Sequence, residues 1–245
     1  MAPLLAAVDL ETIPLFRGLS PSEHRRLHGL LGVKTVPAGS DILTAEEPGD
    51  VAYIVLDGTV KVQIDRPDGT AVILAMLRAG EVVGEMSLVD SLGRAATVVA
   101  MEPTTLAWLT HTDFWTCLRS MPTMAYNLAG ILSRRLRRSN AHVAALATLD
   151  IAGRLADQLL ALGEAYGEAT PDGGCRIPFR LTQGDLAALV GASRVRVNQI
   201  LVGWKHHQVL SVDGHHIVTL HNRGALAETT PGLRGEPDAP EVYSS

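Results

Sequence analysis

Glycines recur between residues 39 and 93, at positions 39, 49, 58, 69, 80, 84 and 93. Short apolar runs lie between them, such as residues 51–56, 60–64 and 72–77. Runs of this length, repeating at intervals of about 8–12 residues, are typical of small antiparallel sheets. Asp57-Gly58 and Asp68-Gly69 supply tight turns. The pattern predicts an antiparallel roll or barrel.

The chain changes character after Pro122, because residues 123–166 contain no proline and only three glycines. We expect a long helix, a break near residues 148–150, and a second helix. One heptad phasing places Leu128, Leu132, Leu146 and Leu149 along a seam that Arg135, Ser139 and His142 interrupt. Such a seam can pack against the roll or against a second copy of the chain. The two are compatible, and we favour a homodimer.

A helix-turn-helix followed by a β-hairpin is predicted for residues 181–220. Thr182 and Ser193 are suitable N-caps, and Gly191 ends the first helix. The hairpin, or wing, spans residues 209–220 around Asp213-Gly214.

The second of these helices is expected to contact DNA, because no acidic residue occurs between Asp185 and Asp213. The N-terminal residues of such a helix face base edges in the major groove. The candidate DNA-binding residues are Ser193, Arg194, Val195, Arg196, Asn198 and Gln199.

Composition excludes several classes of protein. The chain is 47% hydrophobic, carries a net charge of −5, and has two cysteines, Cys117 and Cys175. These values indicate neither a disulfide framework nor an iron–sulfur or haem centre, and no apolar run is long enough for a membrane span. We expect a cytoplasmic protein without a membrane partner. The histidines at 206, 207, 215, 216 and 221 lack companions for a catalytic or metal site, so no enzyme and no metal are predicted.

One segment, residues 81–100, carries the strongest functional signal. Glu85 follows Gly84 at the start of a short helical turn, and Arg94 precedes a β-branched strand. A guanidinium fork suits a phosphate, and a carboxylate accepts hydrogen bonds from sugar hydroxyls. The segment resembles the phosphate-binding cassette of cyclic-nucleotide-binding domains, in which the glutamate holds the ribose 2′-hydroxyl and the arginine holds the cyclic phosphate.

Two further segments, residues 149–156 and 181–194, resemble the hinge and the winged helix-turn-helix of one family. Over residues 12–222 the chain resembles the catabolite activator / fumarate-nitrate regulator (CRP/FNR) family of bacterial transcription factors, of the cyclic-AMP receptor type. The resemblance implies an α+β fold with four parts. They are a cyclic-nucleotide-binding β-roll (jelly-roll-like, 12–122), a dimerisation helix (123–149), a winged helix-turn-helix (150–224) and a disordered tail (225–245).

The resemblance also implies a ligand, which we expect to be cyclic AMP, with cyclic GMP as the alternative. Its site residues would be Gly84 and Glu85 for the ribose, Arg94 and Ala95 for the phosphate, and Ser139 and Asn140 for the base. The implied partners are double-stranded DNA, a second copy of the chain and RNA polymerase. Val195 and Gln199 replace the family receptor's glutamate and arginine, so a different half-site is expected.

Two rival functions stay open at this point. One is a constitutive or weakly modulated DNA-binding regulator of the same fold, against which the retained Glu85 and Arg94 argue. The other is a cyclic-nucleotide sensor that acts on protein partners.

Overall fold

The computed structural model describes residues 9–230 of the 245-residue chain. The chain divides into two compact units, one ending at Leu136 and the other beginning at Arg137. Each unit has its own buried aliphatic residues.

Antiparallel strands form the frame of the first unit. In chain order they are β1 (Gly32–Val36), β2 (Asp41–Leu43), β3 (Val51–Asp57), β4 (Thr59–Asp65), β5 (Ala71–Arg78), β6 (Val82–Val83), β7 (Thr97–Ala100) and β8 (Thr104–Thr110). They pair into two four-stranded sheets, with the orders β1-β8-β3-β6 and β2-β7-β4-β5. Asp57-Gly58 joins β3 to β4, and Gly58 has a φ of 91° that a tight turn requires.

Two apolar clusters hold this unit together, and strand alternation assigns side chains to each. On β8, Leu106 points into a cluster with Val60 and Val98 of the second sheet, so this cluster lies between the sheets. Its neighbour Ala107 and then Leu109 join the other cluster, which lies between the first sheet and the helices.

The helices of the first unit are α1 (Pro21–Leu30), α2 (Glu85–Asp90), α3 (His111–Ser120) and the first part of α4 (Pro122–Thr148). Ser20 caps α1 in a capping box with Glu23, as its sequence predicts. The first part of α4 packs on the unit's own core, where Leu128 and Ile131 are each 5% exposed. Asn127 fixes the helix further by donating to the carbonyl oxygens of Leu15 and Arg17 at 3.2 and 2.8 Å.

The second unit combines helices with a small antiparallel sheet. Its elements are the rest of α4, then α5 (Ile151–Tyr166), β9 (Glu168–Ala169), β10 (Cys175–Arg180), α6 (Gln183–Val190), α7 (Arg194–His206), β11 (Leu210–Val212), β12 (Ile217–Leu220) and α8 (Arg223–Ala227). The sheet order is β11-β12-β10-β9. Helices α6 and α7 form the predicted helix-turn-helix, and β11 and β12 the predicted wing.

Local capping places these elements as the sequence predicts. Thr182 caps α6 in a capping box with Asp185, Gly191 ends it at a φ of 64°, and Ser193 caps α7. The predicted α+β architecture of a roll, a long helix and a winged helix-turn-helix is therefore confirmed. The exact domain limits stay predictions.

The break between α4 and α5 occurs where the sequence predicts it. Asp150 caps α5 by accepting a hydrogen bond from the Gly153 N–H at 2.8 Å. Arg154 donates to the Leu149 carbonyl and to the Val190 carbonyl, each at 3.2 Å, and so ties the break to the end of α6.

The tail prediction is wrong at its start. Residues 225–227 were expected to be disordered, but they lie in α8. The helix forms because the Asn222 side chain accepts a hydrogen bond from the Ala225 N–H at 2.9 Å and because Leu226 is fully buried. Residues 231–245 lie outside the described residues.

Between residues 9 and 230, no helix is both long enough and apolar enough to span a membrane.

Replacing Asp150 by Ala should lower the free energy of unfolding by about 1 kcal/mol, because the first turn of α5 loses its cap. Asp150→Asn keeps an oxygen acceptor and should cost less than about 0.5 kcal/mol. Urea unfolding of the full chain, followed by circular dichroism, measures both. Equal stability of the Ala and Asn variants would contradict a capping role.

Candidate ligand pocket and nucleic-acid interface

The cassette forms around a glycine in the left-handed region. Gly84, with φ 79°, is the N-cap of α2. A Cβ at this position would lie 2.6 Å from Nη1 of Arg94 and 2.9 Å from Cδ1 of Leu43. Both the backbone conformation and the close approach of Arg94 therefore require glycine.

Arg94 is buried behind α2 and is only 8% exposed. Its Nη1 donates to the Gly84 carbonyl at 2.9 Å and to the Ser87 hydroxyl at 2.7 Å, and its Nη2 donates to the Val51 carbonyl at 2.7 Å. These bonds join β3, α2 and the arginine into one rigid cradle. The Arg94 guanidinium, which the sequence predicts as a phosphate ligand, is thus held in place by oxygen atoms of the protein itself.

The Arg94 charge is enclosed in a low-dielectric setting. Burial lowers the pKa of its guanidinium, and the nearby groups of Tyr53, Asp50, Glu47 and Glu85 offset this effect in part. An enclosed cation of this kind favours an anion that can approach it. The next residue, Ala95, is exposed.

Glu85 is 2% exposed, and its partner is an arginine of the long helix. Arg135 Nη1 donates to Glu85 Oε1 at 2.7 Å. Its Nη2 donates to Glu81 Oε2 at 2.9 Å and to the Val82 carbonyl at 2.6 Å. The Arg135 Nε is buried with no hydrogen-bond partner among the described residues.

Arg135 is the pocket residue that sequence reasoning missed, because in the heptad pattern it is only an interruption of the seam. The available signal was its position, since a charge at an apolar heptad position needs a counter-charge. Two acidic residues, Glu81 and Glu85, stood at helical spacing in the cassette segment.

The first half of the predicted seam packs on the roll, which is one of the two partners expected for it. Leu128 is buried in the core of its own unit, and Leu132 packs against that core, because the first sheet needs a helix to cover it. The exposed apolar side chains of α4 are instead Tyr126 (80%), Leu136 (62%), Val143 (61%) and Leu146 (42%).

The predicted base-contacting residues Ser139 and Asn140 are exposed on α4. They lie in the second unit, whereas Gly84, Glu85 and Arg94 lie in the first. The structure thus gathers the three cassette residues, and the roles of Ser139 and Asn140 stay predictions.

The start of α7 presents a polar surface. All six predicted DNA-binding residues are exposed, while Val197 and Leu201 are buried on the opposite face. Arg196 Nη1 donates to Gln199 Oε1 at 3.2 Å. Gln183, which sequence reasoning did not include, contacts Asn198 and Arg194 across the turn.

Histidines, cysteines and carboxylates form no group of three or more that could hold a metal ion within residues 9–230.

Arg135→Gln should lower the free energy of unfolding by about 1–3 kcal/mol, because it leaves the buried Glu85 carboxylate without its cation. Adding Glu85→Gln should recover most of that loss. Arg138→Gln, at an exposed position of the same helix, is the matched control and should change little. Chemical unfolding without ligand of the wild type, Arg135→Gln, Glu85→Gln, the double variant and Arg138→Gln measures the coupling. Additive effects of the two substitutions would contradict the pairing.

The cyclic nucleotide-binding domain model matches residues 33–121, and the Crp-like helix-turn-helix domain model matches residues 153–229. The CRP-like cAMP-activated global transcriptional regulator of Mycobacterium tuberculosis is 32% identical over 205 residues, covering 83% of this chain and 91% of that protein. The Cyclic AMP receptor protein of Thermus thermophilus is 32% identical over 221 residues, covering 90% and 98%.

A solved structure shows the same fold at lower identity. The c-di-GMP responsive global regulator CLP of Xanthomonas campestris has a TM-score of 0.70 and 23% identity, and the match covers 82% of this chain and 99% of that one. The relatives are regulators, which confirms the prediction that this chain is not an enzyme. The chain belongs to the CRP/FNR family of bacterial transcription regulators, with a cyclic-nucleotide-binding domain followed by a helix-turn-helix domain.

Proposed function

We propose that this protein is a cyclic-AMP-responsive transcription regulator that binds palindromic DNA as a homodimer. The observation that carries the proposal is that a buried carboxylate, Glu85 at the start of α2, and a buried guanidinium, Arg94, belong to one short segment.

The two groups match the two polar ends of a cyclic nucleotide. A ribose 2′-hydroxyl can donate a hydrogen bond, and the ionised Glu85 carboxylate accepts hydrogen bonds but donates none. The cyclic phosphate carries one negative charge, and the Arg94 guanidinium supplies one positive charge in a setting that excludes water. Gly84 and the Ala95 N–H complete the proposed ribose and phosphate contacts.

Arg135 would couple ligand binding to the position of the long helix. Its bond to Glu85 uses the same carboxylate as the ribose hydroxyl, so a bound nucleotide changes how α4 is held to the roll. A ligand shifts a conformational equilibrium only through such differential contacts.

Cyclic AMP is favoured over other cyclic nucleotides for two reasons. The relatives at 32% identity are named for cAMP. The cassette also offers a single buried arginine, which matches one phosphate rather than the two of c-di-GMP. Ser139 and Asn140 are the proposed base contacts, since both donate and accept hydrogen bonds. They suit cyclic GMP as well, which remains the alternative.

A second candidate is a regulator that needs no ligand. The observation that favours it is that Arg135 already compensates Glu85 and that the chain's own oxygens already bind Arg94. Under this alternative, DNA affinity would be independent of cyclic nucleotides.

The homodimer is supported by the exposed apolar side chains of α4, particularly Leu136 and Val143. Exposed apolar residues on a helix favour burial against another surface. A two-fold dimer would place two α7 helices on half-sites about 34 Å apart. In each half-site, Arg194 would read a guanine, Gln199 an adenine, and Val195 a thymine methyl. RNA polymerase is the proposed protein partner.

Arg94→Lys should weaken cyclic-AMP binding by at least about 30-fold, because lysine keeps the charge but loses the planar fork. Arg25→Lys, at an exposed position of α1, is the matched control and should bind as the wild type does. Isothermal titration with cAMP, cGMP and c-di-GMP measures the affinities, and thermal unfolding checks that both variants are folded. Unchanged cAMP affinity in a folded Arg94→Lys protein would overturn the cassette assignment.

Val143→Lys should convert the dimer to monomer, because a charge would enter the proposed α4 interface. Val143 is 61% exposed, and Val202 on α7 is 56% exposed. Val202→Lys is therefore a matched control that should stay dimeric. Light scattering at micromolar concentration gives both masses, and a dimeric Val143→Lys protein would place the interface elsewhere.

A further inference from the structure

Gln183, the first residue of α6, holds two side chains of the recognition helix at once. Its Nε2 donates to Asn198 Oδ1 at 2.7 Å. Its Oε1 accepts a hydrogen bond from Arg194 Nε at 3.4 Å. Gln183 itself is half-buried and lies outside the set of residues expected to contact bases.

We propose that Gln183 is a positioning residue for base readout, which sets the groups that Asn198 and Arg194 present to the major groove. The inference rests on the DNA binding stated under Proposed function. The proposal adds one residue of α6, Gln183, to the α7 residues that determine base specificity.

The effect on Asn198 is to orient its amide. An asparagine side chain offers one oxygen acceptor and two N–H donors. Because Gln183 donates to the oxygen, the Asn198 amino group is the part left free. Asn198 then favours bases with acceptors in the major groove, which are the purine N7, guanine O6 and thymine O4 positions, over the cytosine amino group.

The effect on Arg194 is to commit one of its donors. With Nε directed to Gln183, the two terminal nitrogens stay available as a pair. A bidentate pair of this kind matches guanine O6 and N7. A side chain held before binding also loses less conformational entropy when DNA arrives.

A second pair on the same helix serves as an internal control. Arg196 bonds to Gln199 and not to Gln183. The base pair that Gln199 reads should therefore not respond to a change at Gln183.

The test is a base-preference profile of the full chain. Bound sequences are selected from a random duplex pool with and without cAMP, and affinities for single-base variants of the selected duplex are then measured by fluorescence anisotropy. Gln183→Ala should reduce discrimination about 3- to 10-fold at the positions read by Arg194 and Asn198, and leave the Gln199 position unchanged. The salt dependence should not change, since no phosphate contact is lost.

Gln183→Glu gives a sharper result. A carboxylate can only accept hydrogen bonds, so it would pair with the Asn198 amino group and turn the amide oxygen toward the DNA. The preferred base at the Asn198 position should then shift toward the amino donors of adenine or cytosine. A purely structural role for Gln183 would produce no such shift.

The outcomes separate the two proposals. Wild-type protein that selects no sequence would overturn the proposed function itself. Wild-type selection with profiles unaltered in Gln183→Ala and Gln183→Glu would overturn only the role of Gln183. In a double-mutant cycle, Asn198→Ala should remove most of the effect of Gln183→Ala at the shared position. Additive effects in proteins with wild-type unfolding curves would also contradict the positioning role.

Discussion

The cassette depends on how the protein compensates a carboxylate that it removes from water. Glu85 is almost fully buried at the start of α2, where an uncompensated charge would cost several kcal/mol. The cation that meets it, Arg135, belongs to the long helix rather than to the roll. Compensation of one acidic side chain therefore contributes, with the apolar contacts of Leu128 and Ile131, to holding the first part of α4 on the roll. The same crowded geometry leaves room only for glycine at position 84, beside Arg94.

A bound nucleotide could change the hydrogen bond between Arg135 and Glu85. A ribose hydroxyl and Arg135 would share a single carboxylate, while the phosphate would meet a guanidinium that the backbone already holds in place. The phosphate side is thus rigid, and the ribose side is the part that can exchange partners. Under the proposed function, that exchange would contribute to the free energy of switching, because a ligand shifts an equilibrium only through contacts that differ between the two states.

The features that could be predicted from sequence are those determined by interactions between residues close together in the chain. Caps such as Thr182 and Ser193 bond to backbone within three residues, so their helices and the winged helix-turn-helix could be foreseen. Long-range pairing could not: Arg135 reaches Glu85 across 50 residues, and the heptad pattern gave no reason to join them. Leu128 matched a dimer seam and a helix–sheet core equally well, since both bury leucine at the same spacing. Gln183 was missed because its role depends on side-chain rotamers.

The central claim is that cyclic AMP controls DNA binding through Glu85, Arg94 and Arg135. The most direct measurement is the affinity of the full chain for its selected palindrome, with and without saturating cAMP, in the wild type and in Arg94→Lys. The account predicts that cAMP tightens binding of the wild type about 10-fold or more and leaves Arg94→Lys unchanged. Equal wild-type affinity in both conditions would contradict it and would favour the ligand-independent regulator.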